Sequence, residues 1–360
     1  DFEMPKDGLH IRWPDPALDQ EIRLQKYKIS AALAFARANK IDSMTMDSKN
    51  PRIGIVSTGK SYLDTLQALS DLGIGQAEAE KIGLRLYKVG MPWPLEPEGI
   101  REFSEGLDEI LIIEEKRSVI ENQLKEQLYN LNPDVRPLVV GKFDESGEWI
   151  LPSAGELTPT RIARVIAKRV QKLYEHSSIT ERLSFLESKE LALLKHKTPV
   201  QRIPYFCSGC PHNTSTKVPE GSRALAGIGC HYMVIWMNRD TSTFTHMGAE
   251  GVPWIGQSPF TDTDHVFTNL GDGTYFHSGI MAIRASVAAN VNITYKILYN
   301  DAVAMTGGQA MDGPLDPEII SRQVSAEGAK KVIVVSDEPD KYPINAKFAS
   351  GVTFRHRDDL

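Results

Sequence analysis

Residues 266–309 read VFTNLGDGTYFHSGIMAIRASVAANVNITYKILYNDAVAMTGGQ, and the fold of the second half of the chain turns on them. Residues 266–270 form a β-rich apolar run that breaks at Gly271-Asp272-Gly273. Phe276, Ile280, Ile283 and Val287 then recur at spacings of four, three and four, which predicts one face of a helix. A second apolar run, residues 293–299, leads into Asn300 and a glycine-bearing loop. Strand, turn, helix and strand in that order predict a βαβ unit.

Such crossovers are right-handed and join parallel strands, so Asp272 and Asn300 are expected just past the carboxyl ends of neighbouring strands. A carboxylate and an amide oxygen meeting there, beside a helix N-terminus, suit Mg²⁺, a hard ion that shares oxygen ligands with phosphates. Gly271 and Gly273 let backbone approach closely. A GDG tripeptide by itself is most often a tight turn; the whole constellation is far more specific.

Asp272, Asn300 and the following Met305-Thr306-Gly307-Gly308-Gln309 resemble the diphosphate-binding motif of thiamine diphosphate enzymes. The version is that of 2-oxoacid:ferredoxin oxidoreductases, and the match is best to the indolepyruvate:ferredoxin oxidoreductase family in its long bacterial form. The resemblance implies Asp272, Asn300 and the main-chain carbonyl of Ala302 as Mg²⁺ ligands. It also implies that Thr306 and Gly307, with Gly271 and Gly273, bind the cofactor.

The 360 residues are enough for two or three domains with their own cores. A net charge of −6 argues against a nucleic-acid surface. No apolar run approaches the roughly 20 residues that span a bilayer, and the mixed, proline-bearing amino terminus does not read as a signal peptide. Three cysteines, two of them in a CxxC, fit a reducing compartment, so a cytoplasmic protein without a membrane segment is expected.

Residues 1–50 read as an extended connector followed by a helix over 18–40. Residues 51–176 alternate short buried strands with helices: strands near 53–59, 84–89, 109–114 and 138–140, and helices from Tyr62 to Gly73, near 97–105 and from Thr158. This predicts an open α/β sheet that resembles the transketolase C-terminal-like domain of the same family. Glu114-Glu115-Lys116-Arg117 is expected to be a solvated charge cluster, and Arg161, Arg164, Lys168, Arg169 and Lys172 a wet helix face. Residues 177–200 read as a helical linker. Residues 201–360 then form the thiamine diphosphate-binding domain, truncated at its carboxyl end if the last strand continues into a helix. The expected fold is thus α/β with two open, mainly parallel sheets.

Cys207 and Cys210 lie in PYFCSGCPH, where Gly209 permits two sulfurs to face one metal, and Cys230 follows in Gly227-Ile228-Gly229-Cys230. A [4Fe–4S] cluster takes four thiolates, whereas zinc accepts three with His212, His231 or His246. A chance CxxC beside a buried thiol is the structural alternative. The family resemblance favours an iron–sulfur centre on Cys207, Cys210 and Cys230, with a fourth ligand beyond Leu360. Phe244 to Gly251 resembles the glycine-containing loop that faces the cofactor, and places His246 near thiazolium or substrate as the candidate catalytic residue. Structural roles for His246, His231 and His277, and helix capping by Glu250, remain alternatives.

The resemblance implies oxidative decarboxylation of a 2-oxo acid such as indolepyruvate, with electrons passed to ferredoxin and the acyl group to coenzyme A. No pyrimidine-binding domain is readable in the chain. Further sequence or a partner subunit is therefore expected to complete the enzyme, alongside homodimerisation. A non-redox thiamine diphosphate decarboxylase and a zinc-stabilised interaction module are the alternatives.

Overall fold

The apolar run from Ile53 lies inside a sheet and is buried on both faces, as expected of a central parallel strand. It belongs to the first of two units, Asp1–Thr198 and Pro199–Leu360, into which the chain divides. The computed structural model describes residues 2–10, 12–174, 176–195 and 202–360. The last residues of the expected linker, 196–200, lie outside the described ones.

The first unit runs α1 (Ala17–Arg23), α2 (Ile29–Ala38), β1 (Ser43–Met46), β2 (Ile53–Thr58), α3 (Gly59–Asp71), α4 (Gln76–Ile82) and β3 (Leu84–Val89). It continues through α5 (Pro97–Ser104), β4 (Glu109–Ile113), α6 (Ile120–Leu128), β5 (Leu138–Val140), α7 (Pro159–Val170) and α8 (Ser177–Lys195). The sheet order is β1-β3-β2-β4-β5, parallel except for β1, which runs antiparallel to β3. One face is covered by α3, α4 and α7 around Ile55, Leu86, Leu111 and Ile166. The other packs Val56, Ile110 and Ile112 against Ile100, Phe103 and Leu124 of α5 and α6. Thr158 caps α7 by accepting the N–H of Arg161, which is why that helix begins at Pro159.

Two charge clusters depart from expectation. Glu114 is buried rather than solvated: its carboxylate accepts the N–H groups of Val119, Ile120 and Glu121 and so satisfies the open end of α6. Arg169 is also buried, forked onto Glu109 and joined to Glu145, so the basic face of α7 is wet only in part. A bidentate partner is what lets an arginine leave water.

The second unit runs α9 (His212–Ser215), β6 (Arg223–Leu225), β7 (Thr241–Ser242), α10 (Pro253–Gln257), β8 (Val266–Gly271), α11 (Asp272–Thr274), α12 (Ile280–Ala288) and β9 (Ile293–Leu298). After a long loop come α13 (Pro317–Ala326), β10 (Ile333–Ser336) and β11 (Thr353–His356). β7, β6, β8 and β9 form one parallel sheet in that order, and β10 and β11 a separate parallel pair. Leu270, Tyr275 and Ile283 build its core with Ile320 and Val324 of α13.

The βαβ unit is present, with Gly271 of β8 in register with Leu298 of β9. Its helix differs from the spacing-based expectation at one point. A π-helical turn, Tyr275–Gly279, lies between α11 and α12 and inserts extra backbone into the helical repeat. Tyr275 therefore turns into the core and Phe276 faces out. Among the described residues no helix is long and apolar enough to cross a membrane.

Candidate functional site

In the second unit the sheet grows from β6 to β7 on one side and from β8 to β9 on the other. The crevice outside the carboxyl ends of β6 and β8 is therefore the topological switch point, where open α/β sheets bind ligands. Two short segments border it: Gly227-Ile228-Gly229-Cys230-His231 after β6, and Gly271-Asp272-Gly273 at the end of β8.

Asp272 is 3% exposed. Its Oδ2 accepts the N–H groups of Asn300 at 2.8 Å and Asp301 at 2.7 Å, and its Oδ1 accepts the N–H of Gly273 at 2.9 Å. Asp301 adopts a positive φ of 57°, which turns successive N–H groups toward one acceptor. The sheet thus brings Asp272 and Asn300 together, but through the main chain of Asn300. Its side-chain Oδ1 accepts the N–H of Ala302 at 3.1 Å.

No lysine or arginine pairs with Asp272 among the described residues. A carboxylate held by three N–H groups keeps a spare lone pair, because its two oxygens offer roughly four acceptor directions. That spare acceptor direction, on Oδ1, fits a hard divalent cation.

The loop after β9 closes on itself. Val303 and Gln309 bridge in antiparallel fashion, and the N–H of Val303 reaches the Gln309 carbonyl at 2.8 Å. Gln309 Nε2 donates to the Thr306 carbonyl at 2.8 Å, and the Thr306 hydroxyl lies 2.8 Å from Gln309 Oε1. Gly307 and Gly308 carry φ values of 121° and 78°, a backbone that residues with a Cβ rarely adopt. Thr306 and Gly307 are exposed.

His246 is exposed on the loop before α10, with no side-chain hydrogen bond among the described residues. Glu250, on the same loop, is buried. Its Oε2 accepts the N–H of Gly248 at 2.7 Å, so it closes its own turn, and its Oε1 has no partner among the described residues. His277 is exposed and lies 2.7 Å from the Ser278 hydroxyl.

Two imidazoles occupy the other side of the crevice. The rings of His212 and His231 stack with centroids 6.2 Å apart and planes 12° from parallel. Both are buried, and burial pushes each down from the ordinary histidine range, His231 to about 4. The charge of Asp272 opposes that shift at His212. Gly227 and Gly229 exist here for His231: a Cβ at either would run into its ring, and one at Gly227 would also strike the carbonyl of Asn269.

Cys207 is exposed, and Cys210 and Cys230 are half-buried. The Cys230 thiol is pushed up first by burial and then by the charges of Cys210 and Cys207. Cys210 Sγ lies 3.4 Å from His212 Nδ1. Among the described residues no three His, Cys, Asp or Glu side chains stand grouped to hold a metal ion. The sequence reading takes His212 as a zinc ligand and His231 as a zinc ligand or a structural histidine, and misses their stacking; the signal was the pair of glycines two and four residues before His231.

Residues 227–342 match the family described as thiamine pyrophosphate enzyme, C-terminal TPP binding domain, and residues 42–198 match the indolepyruvate ferredoxin oxidoreductase middle domain. By these matches the second unit resembles the diphosphate-binding domain of thiamine diphosphate enzymes, and the first unit a domain of one ferredoxin-linked family. The chain as a whole is similar to the indolepyruvate ferredoxin oxidoreductases, as its motifs suggest. It is 26% identical over 326 residues to the indolepyruvate oxidoreductase subunit IorA of Thermococcus kodakarensis, covering 83% of this chain and 46% of that one. To the same subunit of Methanothermobacter marburgensis it is 25% identical over 317 residues, covering 84% and 46%. The chain thus spans about half the length of the curated relatives it matches. A solved 2-oxoglutarate:ferredoxin oxidoreductase from Magnetococcus marinus aligns over 47% of this chain and 26% of that one at 15% identity, with a TM-score of 0.27.

Proposed function

We propose that this chain supplies the metal and diphosphate half of the active site in a thiamine diphosphate-dependent 2-oxoacid:ferredoxin oxidoreductase acting on indolepyruvate or another arylpyruvate. The observation that carries the reading is the buried Asp272 carboxylate at the sheet switch point, gathered with Asn300 and Asp301 and lacking a cationic partner among the described residues. Asp272, Asn300 and the Ala302 carbonyl are the residues that would hold Mg²⁺. Gly271, Gly273, Thr306 and Gly307 would border the diphosphate, where the absence of side chains on the glycines lets backbone come close.

When bound, thiamine diphosphate supplies the carbon nucleophile and electron sink for decarboxylating a 2-oxo acid; the protein supplies orientation and electrostatics. Asp272 fixes the metal side of the crevice and shapes the loop after β9. His246, on the loop between β7 and α10, is the side chain assigned to orient substrate. Cys207, Cys210 and Cys230 are the residues that would hold an iron–sulfur centre, with a fourth ligand from outside this chain's three thiols. Ferredoxin and coenzyme A are the assigned acceptors. A pyrimidine-binding domain from further sequence or a partner subunit, in a homodimeric cytoplasmic assembly, completes the enzyme.

Calorimetric titration of Mg²⁺ with thiamine diphosphate into the chain tests the reading. Saturable binding lost in Asp272→Ala supports it; equal behaviour of the two proteins overturns it. The contact between Cys210 and His212 favours one second reading, zinc held by the three thiols and an imidazole. Metal analysis after anaerobic purification separates the two: iron with acid-labile sulfide, or zinc without it.

A further inference from the structure

The thiol turn and the Asp272 loop are joined by more than proximity. From Cys210 the path runs to His212 at 3.4 Å, from His212 by ring stacking to His231, and from His231 to the backbone beside Asp272. The last step is set by glycine: a Cβ on Gly271 would lie 3.5 Å from the His231 ring, and Gly227 and Gly229 press on the same ring from the β6 side. His231 is therefore walled in by both segments that border the crevice. His231 has no room to shift without its neighbours, because close-packed interiors transmit displacement instead of absorbing it. Phe206 tilts onto His212 at 5.2 Å and closes the outer side of the stack.

We propose that His212 and His231 are positioning residues that couple the Asp272 loop to the thiol turn, so that a metal–pyrophosphate at Asp272 orders residues 207–215. This rests on Asp272 being the metal–diphosphate site, and deepens that reading by linking two places on the same sheet edge. The linkage is reciprocal, so anything that fixes the thiol turn tightens binding at Asp272.

The test is amide hydrogen exchange of residues 207–215 in the full chain, read with and without Mg²⁺ plus inorganic pyrophosphate, for the unaltered protein, His212→Ala and His231→Ala. In the unaltered protein the ligand is expected to slow exchange there by roughly fivefold or more, the low end of usual couplings between sites. In His212→Ala the slowing disappears while calorimetry still records pyrophosphate binding. His212→Ala carries the result if His231→Ala does not fold. A second arm needs no ligand: Asp272→Asn is expected to quicken exchange of residues 207–215 in the unaltered background and to change nothing in His212→Ala. Binding with no slowing, or slowing that survives His212→Ala, overturns the linkage alone. Absence of pyrophosphate binding overturns the site assignment, and the Asp272→Asn arm then decides the linkage by itself.

Discussion

The carboxylate of Asp272 holds the N–H of Asn300 at 2.8 Å, so the end of β8 fixes the path of the chain as it leaves β9. Hydrogen bonds to an ionised acceptor are worth more than neutral ones, and loss of the acceptor strands buried donors. Asp272→Ala is expected to destabilise the second unit by about 2–4 kcal/mol, measured by denaturant unfolding. Asp272→Asn falls between, since an amide offers one oxygen where the carboxylate offers two.

Lys296 extends from β9 to the carbonyls of Ser215, at 3.1 Å, and Lys217, and lies over the ring of Phe267. Burial pushes its ammonium down to about 8, so it is still charged at neutral pH. Its removal leaves the end of α9 without a donor. Lys296→Met is expected to cost about 1–2 kcal/mol and to speed proteolytic cutting after Cys210.

Gly227 has no space for a side chain: a methyl there would stand closer than van der Waals contact to both a backbone carbonyl and the His231 ring. The carbonyl of Asn269 belongs to β8 and cannot swing away. Gly227→Ala is expected to cost about 1–3 kcal/mol through overpacking and to weaken Mg²⁺-pyrophosphate binding. Gly147→Ala, where a methyl meets nothing within 4 Å but φ is +84°, serves as the comparison for backbone strain alone. Calorimetry on both variants separates the effects.

Glu145 titrates far below the usual carboxylate range, at about 2, held there first by Lys172 and then by Arg169. A carboxyl lowered in the folded state adds stability above its unfolded value, and that stability is lost as pH falls through the folded value. The acid limb of unfolding between the ordinary 4.5 and about 2 therefore contains a contribution from Glu145. Its side chain is 40% exposed, so solvent screening keeps the effect small. Glu145→Gln should flatten that limb: the variant melts slightly below the unaltered protein at pH 7, and the difference closes as pH falls toward about 2.

Strands announced themselves through continuous apolar runs: β2, β3, β5, β8 and β9 lie within a residue or so of where Ile53, Leu84, Leu138, Val266 and Ile293 place them. β1 escaped notice because SMTM has no such run and is a strand only by pairing with distant β3. α6 escaped because its cap, Glu114, stands five residues before Val119 and looks like surface charge until the carboxylate is seen to turn inward. The π turn at Tyr275 is equally invisible to a periodicity of 3.6. At the crevice, Asp272 and Asn300 were readable as a pair because βαβ topology dictates where they fall. The stack of His212 on His231 was not, since it joins α9, before β6, to the helical turn that follows β6.

The pair formed by β10 and β11 has only two parallel strands, with Ile333 and Val335 left largely uncovered. Parallel ladders are weaker per residue than antiparallel ones, and two strands covered on one face only, by Tyr342 and Phe348 against Phe354, sit at the margin of persistence. Storage and handling will therefore age this molecule unevenly. Clipping and fraying should begin around residue 333, long before the doubly covered sheet that contains β2 gives way.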